Sequence, residues 1–101
     1  ILEDAIALSN SGAFAIVIEC VVESLAKKIT NRVSVPTIGI GAGPHTDGQL
    51  LVMHDMLGIT AEFKPRFLRQ YAQVGDIVNE AVANYVKDVK SGDFPNEKES
   101  Y

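Results

Sequence analysis

The chain has 101 residues, with nine Lys and Arg against thirteen Asp and Glu, which gives a formal net charge of −4. Hydrophobic residues make up 47% of it, a share too high for an intrinsically disordered chain. The acidic balance gives no basic footprint for nucleic acid, and no apolar run approaches the roughly 20 residues that a membrane-spanning helix needs. The lone cysteine, Cys20, excludes an internal disulfide framework and indicates the reducing environment of the cytoplasm.

The chain starts at Ile1, and its two methionines, Met53 and Met56, lie in the middle of the sequence. Because translation starts at methionine, we expect this sequence to be a processed or trimmed chain or a piece of a longer protein. Its length alone would allow one small domain.

Hydrophobic periodicity predicts a helix, a strand, a helix and a strand in the first part of the chain. Residues 2–10 have helical spacing, and Gly12 is a candidate left-handed cap behind them. Residues 13–18, AFAIVI, form a continuous apolar run that is typical of a strand buried on both faces. Residues 22–33 return to helical spacing, and residues 35–40 predict a second buried strand.

The second part of the chain is predicted to contain a short strand and two helices. Residues 50–52 form a third, short apolar stretch, and residues 53–60 predict a loop or a short helical turn. Pro65 suits the first position of a helix, which Gly75 would end or kink. Residues 77–89 then predict an amphipathic helix of about four turns.

Gly92 is the predicted cap of this last helix, and the polar tail at residues 96–101 is expected to be mobile at its end. Buried strands that alternate with helices predict an α/β fold with a parallel sheet and right-handed crossovers. Two strands and a short third one are too few to close an α/β core, and they leave open sheet edges. We therefore expect either extensive self-association or further strands elsewhere in a longer protein.

Glu19 follows the first predicted strand directly, which makes it the leading candidate for chemistry. The carboxyl ends of parallel strands form the crevice in which α/β proteins place their active sites. Partial desolvation there makes a carboxylate a stronger proton acceptor, as a general base requires. The alternative is a structural Glu19 that caps the next helix or pairs with a lysine.

A glycine-rich segment, GIGAG at Gly39–Gly43, follows the second predicted strand. Glycines let a backbone approach a ligand closely, and their exposed N–H groups can hold an anion. The segment has neither the spacing of a dinucleotide-binding fingerprint nor the Lys-Ser/Thr of a P-loop. A tight turn that uses glycine for its conformation is the favoured interpretation, and phosphate binding remains the alternative.

The remaining reactive side chains give weaker signals. Cys20 has no adjacent cation to activate its thiol, so a buried structural cysteine is expected. His45 lies in a predicted exposed turn, whereas the neighbours His54 and Asp55 do not share one face of a helix or strand. No cluster with metal-ligand spacing is evident, and the basic run around Arg66 is interpreted as a solvated helix end.

The ordered combination of these motifs resembles the ketopantoate hydroxymethyltransferase family. The resemblance lies in GAFAIVIECV at residues 12–21, PTIGIGAG at residues 36–43 and DGQLLVMHDMLG at residues 47–58. It continues through FKPRF at residues 63–67 and VKSGDFP at residues 89–95, and so covers essentially the whole chain. Val22 replaces a proline that is usual in the family, and the tail at residues 96–101 departs from the usual ending.

The resemblance implies a fold and an activity. Residues 1–101 would be the C-terminal portion of a single (β/α)₈ TIM barrel of the phosphoenolpyruvate/pyruvate-binding type, about its last three βα units. The complete enzyme would transfer a hydroxymethyl group from 5,10-methylenetetrahydrofolate to 3-methyl-2-oxobutanoate, giving 2-dehydropantoate for pantothenate and coenzyme A synthesis. The resemblance also implies a cytoplasmic homo-oligomer.

Glu19 stands where the family has its general base, which takes the proton from the carbon next to the keto group. Mg²⁺ would chelate the keto acid, but the family's metal-binding acids lie on earlier strands and map to no residue of this chain. The isolated 101 residues are therefore expected to be inactive. Two alternatives stay open, namely a non-enzymatic partial barrel that self-associates and a small phosphate-binding domain that uses Gly39–Gly43.

Overall fold

The computed structural model describes all 101 residues, which separate into two compact units. The first unit comprises Ile1–Val52 and Pro65–Leu68, and the second comprises Met53–Lys64 and Arg69–Tyr101. In chain order the elements are α1 (Leu2–Asn10), β1 (Ile16–Glu19), α2 (Glu23–Thr30), β2 (Thr37–Ile40), β3 (Gly48–Gln49), α3 (Met53–Met56), α4 (Val74–Ser91) and a 3₁₀ turn (Glu97–Glu99). No helix is long and apolar enough to cross a membrane.

The first unit contains a three-stranded parallel sheet in the order β1, β2, β3. Along β1, Ile16 and Ile18 are buried, whereas Val17 and Glu19 are exposed. The prediction of a strand buried on both faces is therefore wrong, and Phe14, which lies outside the strand, is 92% exposed. The residues of this chain pack on one face of β1, and the other face is exposed to solvent.

The buried face of the sheet packs against helices α1 and α2. Its centre is a cluster formed by Ala5, Ile16, Ile18, Ala26, Ile29 and Ala42. Ile29 is only 1% exposed, and burying a side chain of this size stabilises a fold by about 1.5–3 kcal/mol. Helix α2 is shorter than predicted, since it ends at Thr30, but Val33 still packs against the cluster.

The predicted start and end of α1 are confirmed, including the glycine behind it. Helix α1 ends at Asn10, Ser11 is its C-cap, and Gly12 follows with a φ of +95°. No atom lies within 4 Å of a Cβ built on Gly12. The glycine is therefore needed for its backbone conformation and not for space.

A seven-residue connection, residues 41–47, joins the parallel strands β2 and β3 without a helix. Two of the three predicted strand regions contain strands, whereas residues 50–52 do not, because the third strand is Gly48–Gln49. The connection packs on the helix-facing side of β2, because a Cβ built on Gly39 would lie 2.6 Å from Oγ1 of Thr46. Because Gly39 has no side chain, the connection can pack closely against the sheet.

The end of this connection is anchored to the start of β2 by Asp47. Thr37 is fully buried, and its N–H and its hydroxyl donate to Oδ2 of Asp47 at 2.8 and 3.1 Å. The Oγ1 atoms of Thr37 and Thr30 lie 2.9 Å apart, which extends the network to the end of α2. One carboxylate therefore satisfies the polar groups where β2, the connection and α2 meet.

Gly41 begins the connection with a φ of +66°. A Cβ built on it would lie 2.8 Å from Cδ1 of Phe67, so the phenyl ring packs directly on the glycine. Any other residue at position 41 would have to adopt a left-handed backbone conformation, and its Cβ would clash with the ring of Phe67.

The predicted helix from Pro65 is wrong, because no helix lies between Met56 and Val74. The backbone N–H groups of Tyr71 and Val74 donate to the carbonyl oxygens of Met56 and Leu57, at 2.8 and 2.9 Å. These bonds to the end of α3 hold the chain in a non-helical path. Gly75 is not a break, because it lies in the first turn of α4, where a built Cβ would be 2.6 Å from the oxygen of Gly58.

Helix α4 ends where the sequence predicts, at Ser91, with Gly92 in the left-handed conformation at a φ of +79°. None of its residues is buried, although its apolar face is well formed. Only the ring of Tyr85 has an aromatic partner, since it meets Phe94 edge to face with centroids 5.6 Å apart.

We predict that Asp47→Ala lowers the free energy of unfolding by about 1–3 kcal/mol, because it leaves the buried N–H of Thr37 without an acceptor and removes one of the two acceptors of its hydroxyl. Urea denaturation of the full-length protein that carries this chain measures the change. Asp93→Ala is the matched control, since Asp93 is exposed and its carboxylate makes no hydrogen bond. Equal unfolding midpoints for the two variants would show that the anchor contributes nothing.

We predict that Gly41→Ala destabilises the protein more than Gly12→Ala does. Both alanines would adopt a left-handed φ, which costs of the order of 1–2 kcal/mol in a non-glycine residue. Only the alanine at residue 41 would also displace the ring of Phe67. The same urea measurement compares the two variants, and an equal loss of stability would mean that the ring moves aside freely.

Candidate active site

Glu19 is the last residue of β1 and pairs with Ile40 of β2 in the parallel register. The N–H of Cys20 donates to the carbonyl oxygen of Ile40 at 2.9 Å, so the ladder continues one residue past Glu19. By the alternation along β1, the Glu19 side chain lies on the face opposite Ile18 and the helices. The structure thus places this carboxylate at the carboxyl edge of the sheet.

The structural alternatives for Glu19 do not apply in this structure. The N-cap of α2 is Val22, and no side chain caps that helix. The two ion pairs of the chain join the terminal amino group of Ile1 to Asp4 and His45 to Glu23. Glu19 is therefore neither a helix cap nor the partner of a lysine.

Glu19 is exposed in this structure. The desolvation expected from the sequence is thus not supplied by the residues of this chain. What the chain does supply is the position of the carboxylate and the direction in which it faces.

Cys20 is exposed, so the prediction of a buried structural thiol is wrong. Its φ of +51° is the only positive value among the non-glycine residues. The positive φ of Cys20 arises because the connection after β1 is short, and the chain must turn from Glu19 into α2 at Glu23. A left-handed non-glycine residue stores about 1–3 kcal/mol of strain, and such residues cluster at functional sites.

A cleft of about 500 Å³ opens beside Cys20 within the first unit. Arg66 is exposed and forms no ion pair, and it lies in a turn and not at a helix end as expected. The cleft is wide open to solvent in this structure. The lining residues are Cys20, Val21, Val22, Glu23, Gly41, Gly43, Arg66 and Phe67.

The sequence did not single out Arg66 and Phe67 as site residues. They lie more than 40 positions after Cys20 in the chain, and no local pattern connects them with the end of β1. The sequence signal that could have pointed to Arg66 and Phe67 is that both belong to the FKPRF motif at residues 63–67.

Packing accounts for the glycines of the second motif. Gly39 clears space for Thr46, Gly41 lies under Phe67, and a Cβ built on Gly43 would be 2.7 Å from Cγ of Glu23. Gly41 and Gly43 also have positive φ angles, of +66° and +76°. These contacts favour the conformational interpretation over a dedicated phosphate loop.

The two histidines lie in different units. His45 is in the exposed turn expected from the sequence, and its Nε2 lies 2.9 Å from Oε1 of Glu23, a pairing that the sequence did not predict. His54 lies in α3 beside Asp55, and its carbonyl oxygen accepts from the N–H of Ile59 at 2.8 Å. No three His, Cys, Asp or Glu side chains come together to hold a metal ion.

Comparison of the chain with known proteins identifies a family and several relatives. The family model described as ketopantoate hydroxymethyltransferase matches residues 1–97. Three curated relatives are named 3-methyl-2-oxobutanoate hydroxymethyltransferase, and each aligns with all 101 residues. The protein of Clostridium beijerinckii is 52% identical, that of Chlorobium luteolum 54% and that of Thermus thermophilus 48%.

The chain spans only 37%, 36% and 39% of the lengths of these three relatives. The family model nevertheless covers nearly every residue, including the strand that ends at Glu19 and the glycine motif. By this match, the chain belongs to the ketopantoate hydroxymethyltransferase family.

Proposed function

We propose that this chain supplies the general base of a hydroxymethyltransferase that acts on 3-methyl-2-oxobutanoate. The observation that carries the proposal is the free carboxylate of Glu19 at the carboxyl edge of the sheet, on the face away from the helices. A base must hold a lone pair that no internal partner occupies, and Glu19 has neither an ion-pair partner nor a capping role.

In the proposed reaction, a carboxylate oxygen of Glu19 takes the proton from C3 of the keto acid. The electron pair of the broken C–H bond becomes part of an enolate. Water hydrolyses the methylene group of 5,10-methylenetetrahydrofolate, so that both of its C–N bonds break, tetrahydrofolate leaves and the carbon is released as formaldehyde. C3 of the enolate adds to this carbon, and the resulting alkoxide takes the proton held by Glu19, which gives 2-dehydropantoate. Glu19 contributes the proton transfer and the geometry of approach.

The family resemblance assigns no residue of this chain as a ligand of the Mg²⁺ that it implies, since the metal-binding acids lie on earlier strands. In this chain no three His, Cys, Asp or Glu side chains come together. The role of Glu19 in the proton transfer is therefore derived without the ion.

We infer further that the sheet is part of a (β/α)₈ barrel. Val17 is 56% exposed on the face of β1 away from the helices, where a barrel would have its packed interior. Three of the eight strands of a barrel also correspond well to a chain that spans 36–39% of its relatives. Assembly into a homo-oligomer and a cytoplasmic location stay predictions of the resemblance.

We expect Glu19→Gln in the full-length protein to slow the exchange of the C3 proton of 3-methyl-2-oxobutanoate by roughly 10²–10⁴-fold, because the amide cannot accept that proton. Exchange into deuterium oxide, followed by proton NMR without folate, isolates this step. Glu3→Gln is the matched control, since Glu3 is exposed on α1. Exchange at the wild-type rate in the Glu19 variant would remove this residue from the mechanism.

A further inference from the structure

We propose that the cleft beside Cys20, lined by Arg66 and Phe67, holds the p-aminobenzoyl-glutamate arm of the folate co-substrate. Arg66 would bind a glutamate carboxylate of the folate, and Phe67 would pack against the benzoyl ring. The inference rests on the proposed function, because it assigns one of the two substrates of that reaction to a place in this chain.

The charges in the cleft suit an anionic ligand. The guanidinium of Arg66 has no carboxylate of the chain within ion-pair distance. A guanidinium can donate two parallel hydrogen bonds to a carboxylate, which is the strongest pairing available to it. The only acidic residue lining the cleft, Glu23, has Oε1 engaged by His45 at 2.9 Å. A ligand carboxylate would therefore find an unpartnered cation in Arg66.

The apolar part of the cleft suits an aromatic ring. Gly41 has no side chain, and Phe67 packs directly on it, so the phenyl ring is held in a defined place. Val21 and Val22 also line the cleft, and Val22 is 70% exposed in this structure. Offset or edge-to-face contacts with a fixed phenyl ring favour a planar aromatic ligand over an aliphatic one.

The position of the cleft fits the donor better than the acceptor. The acceptor must place its C3 beside the Glu19 carboxylate, on the face of β1 away from the helices. The cleft begins one residue later, at Cys20, and extends over the glycine connection to Arg66. A folate whose one-carbon unit reaches the same C3 must keep its long arm outside the position of the acceptor, and the cleft, which starts at the residue after the base and does not include Glu19, is such a place.

The test compares Arg66→Gln with Arg69→Gln in the full-length protein. Arg69 is exposed and does not line the cleft, so its variant is the matched control. We expect Arg66→Gln to raise the KM for 5,10-methylenetetrahydrofolate by roughly ten- to a hundredfold. The KM for 3-methyl-2-oxobutanoate and the folate-independent exchange of its C3 proton should not change. Arg66→Lys should restore part of the loss.

A donor without glutamate, 5,10-methylenetetrahydropteroate, tests the contact itself. If Arg66 binds the glutamate, the wild type and Arg66→Gln should have the same raised KM for this donor. A penalty from Arg66→Gln that is equal for both donors would overturn the assignment, as would an unchanged folate KM. In either case a normal C3 exchange would leave the role of Glu19 standing. Absence of exchange in the wild type would instead refute the proposed function.

Discussion

The two-residue period of β1 is the constraint on which the candidate site depends. Ile16 and Ile18 pack against the helices, so Val17 and Glu19 must lie on the opposite face. A shift of one residue would bury Glu19 in the apolar cluster and expose the two isoleucines. The parallel register with β2, which pairs Glu19 with Ile40, prevents that shift. The burial of two isoleucines thus determines where the carboxylate faces.

The helix-free crossover between β2 and β3 connects the fold with the cleft. A crossover between parallel strands is usually a helix of a dozen or more residues, and here residues 41–47 replace it. Ala42 therefore packs in the apolar cluster, Gly39 makes room for the returning chain, and Asp47 anchors its end to β2. The same short connection supplies Gly41 to the cleft wall. One segment therefore sets both the packing on the sheet and part of the cleft wall.

Features that depend on neighbours in the chain could be predicted from the sequence. The caps at Gly12 and Gly92 follow from local conformational preferences, and periodicity predicts a strand at residues 13–18, which overlaps β1 at Ile16–Glu19. Features set by distant partners could not be predicted. The residues after Pro65 have helical spacing, but hydrogen bonds from Tyr71 and other backbone groups to the end of α3 override it. The cleft is likewise lined by residues from three separate segments of the chain. Hydrophobic periodicity within one segment does not predict which segments come together.

The left-handed conformation of Cys20 separates the direction of the Glu19 side chain from that of the residues that follow it. An ordinary extended residue at this position would continue β1, and the side chains after Glu19 would go on alternating between the faces of the sheet. The φ of +51° instead turns the chain away directly after the base. Glu19 keeps the direction that the strand gives it, while Cys20, Val21 and Val22 line the neighbouring cleft. The strained conformation of one residue thus separates the Glu19 carboxylate from the cleft and keeps the two adjacent along the chain.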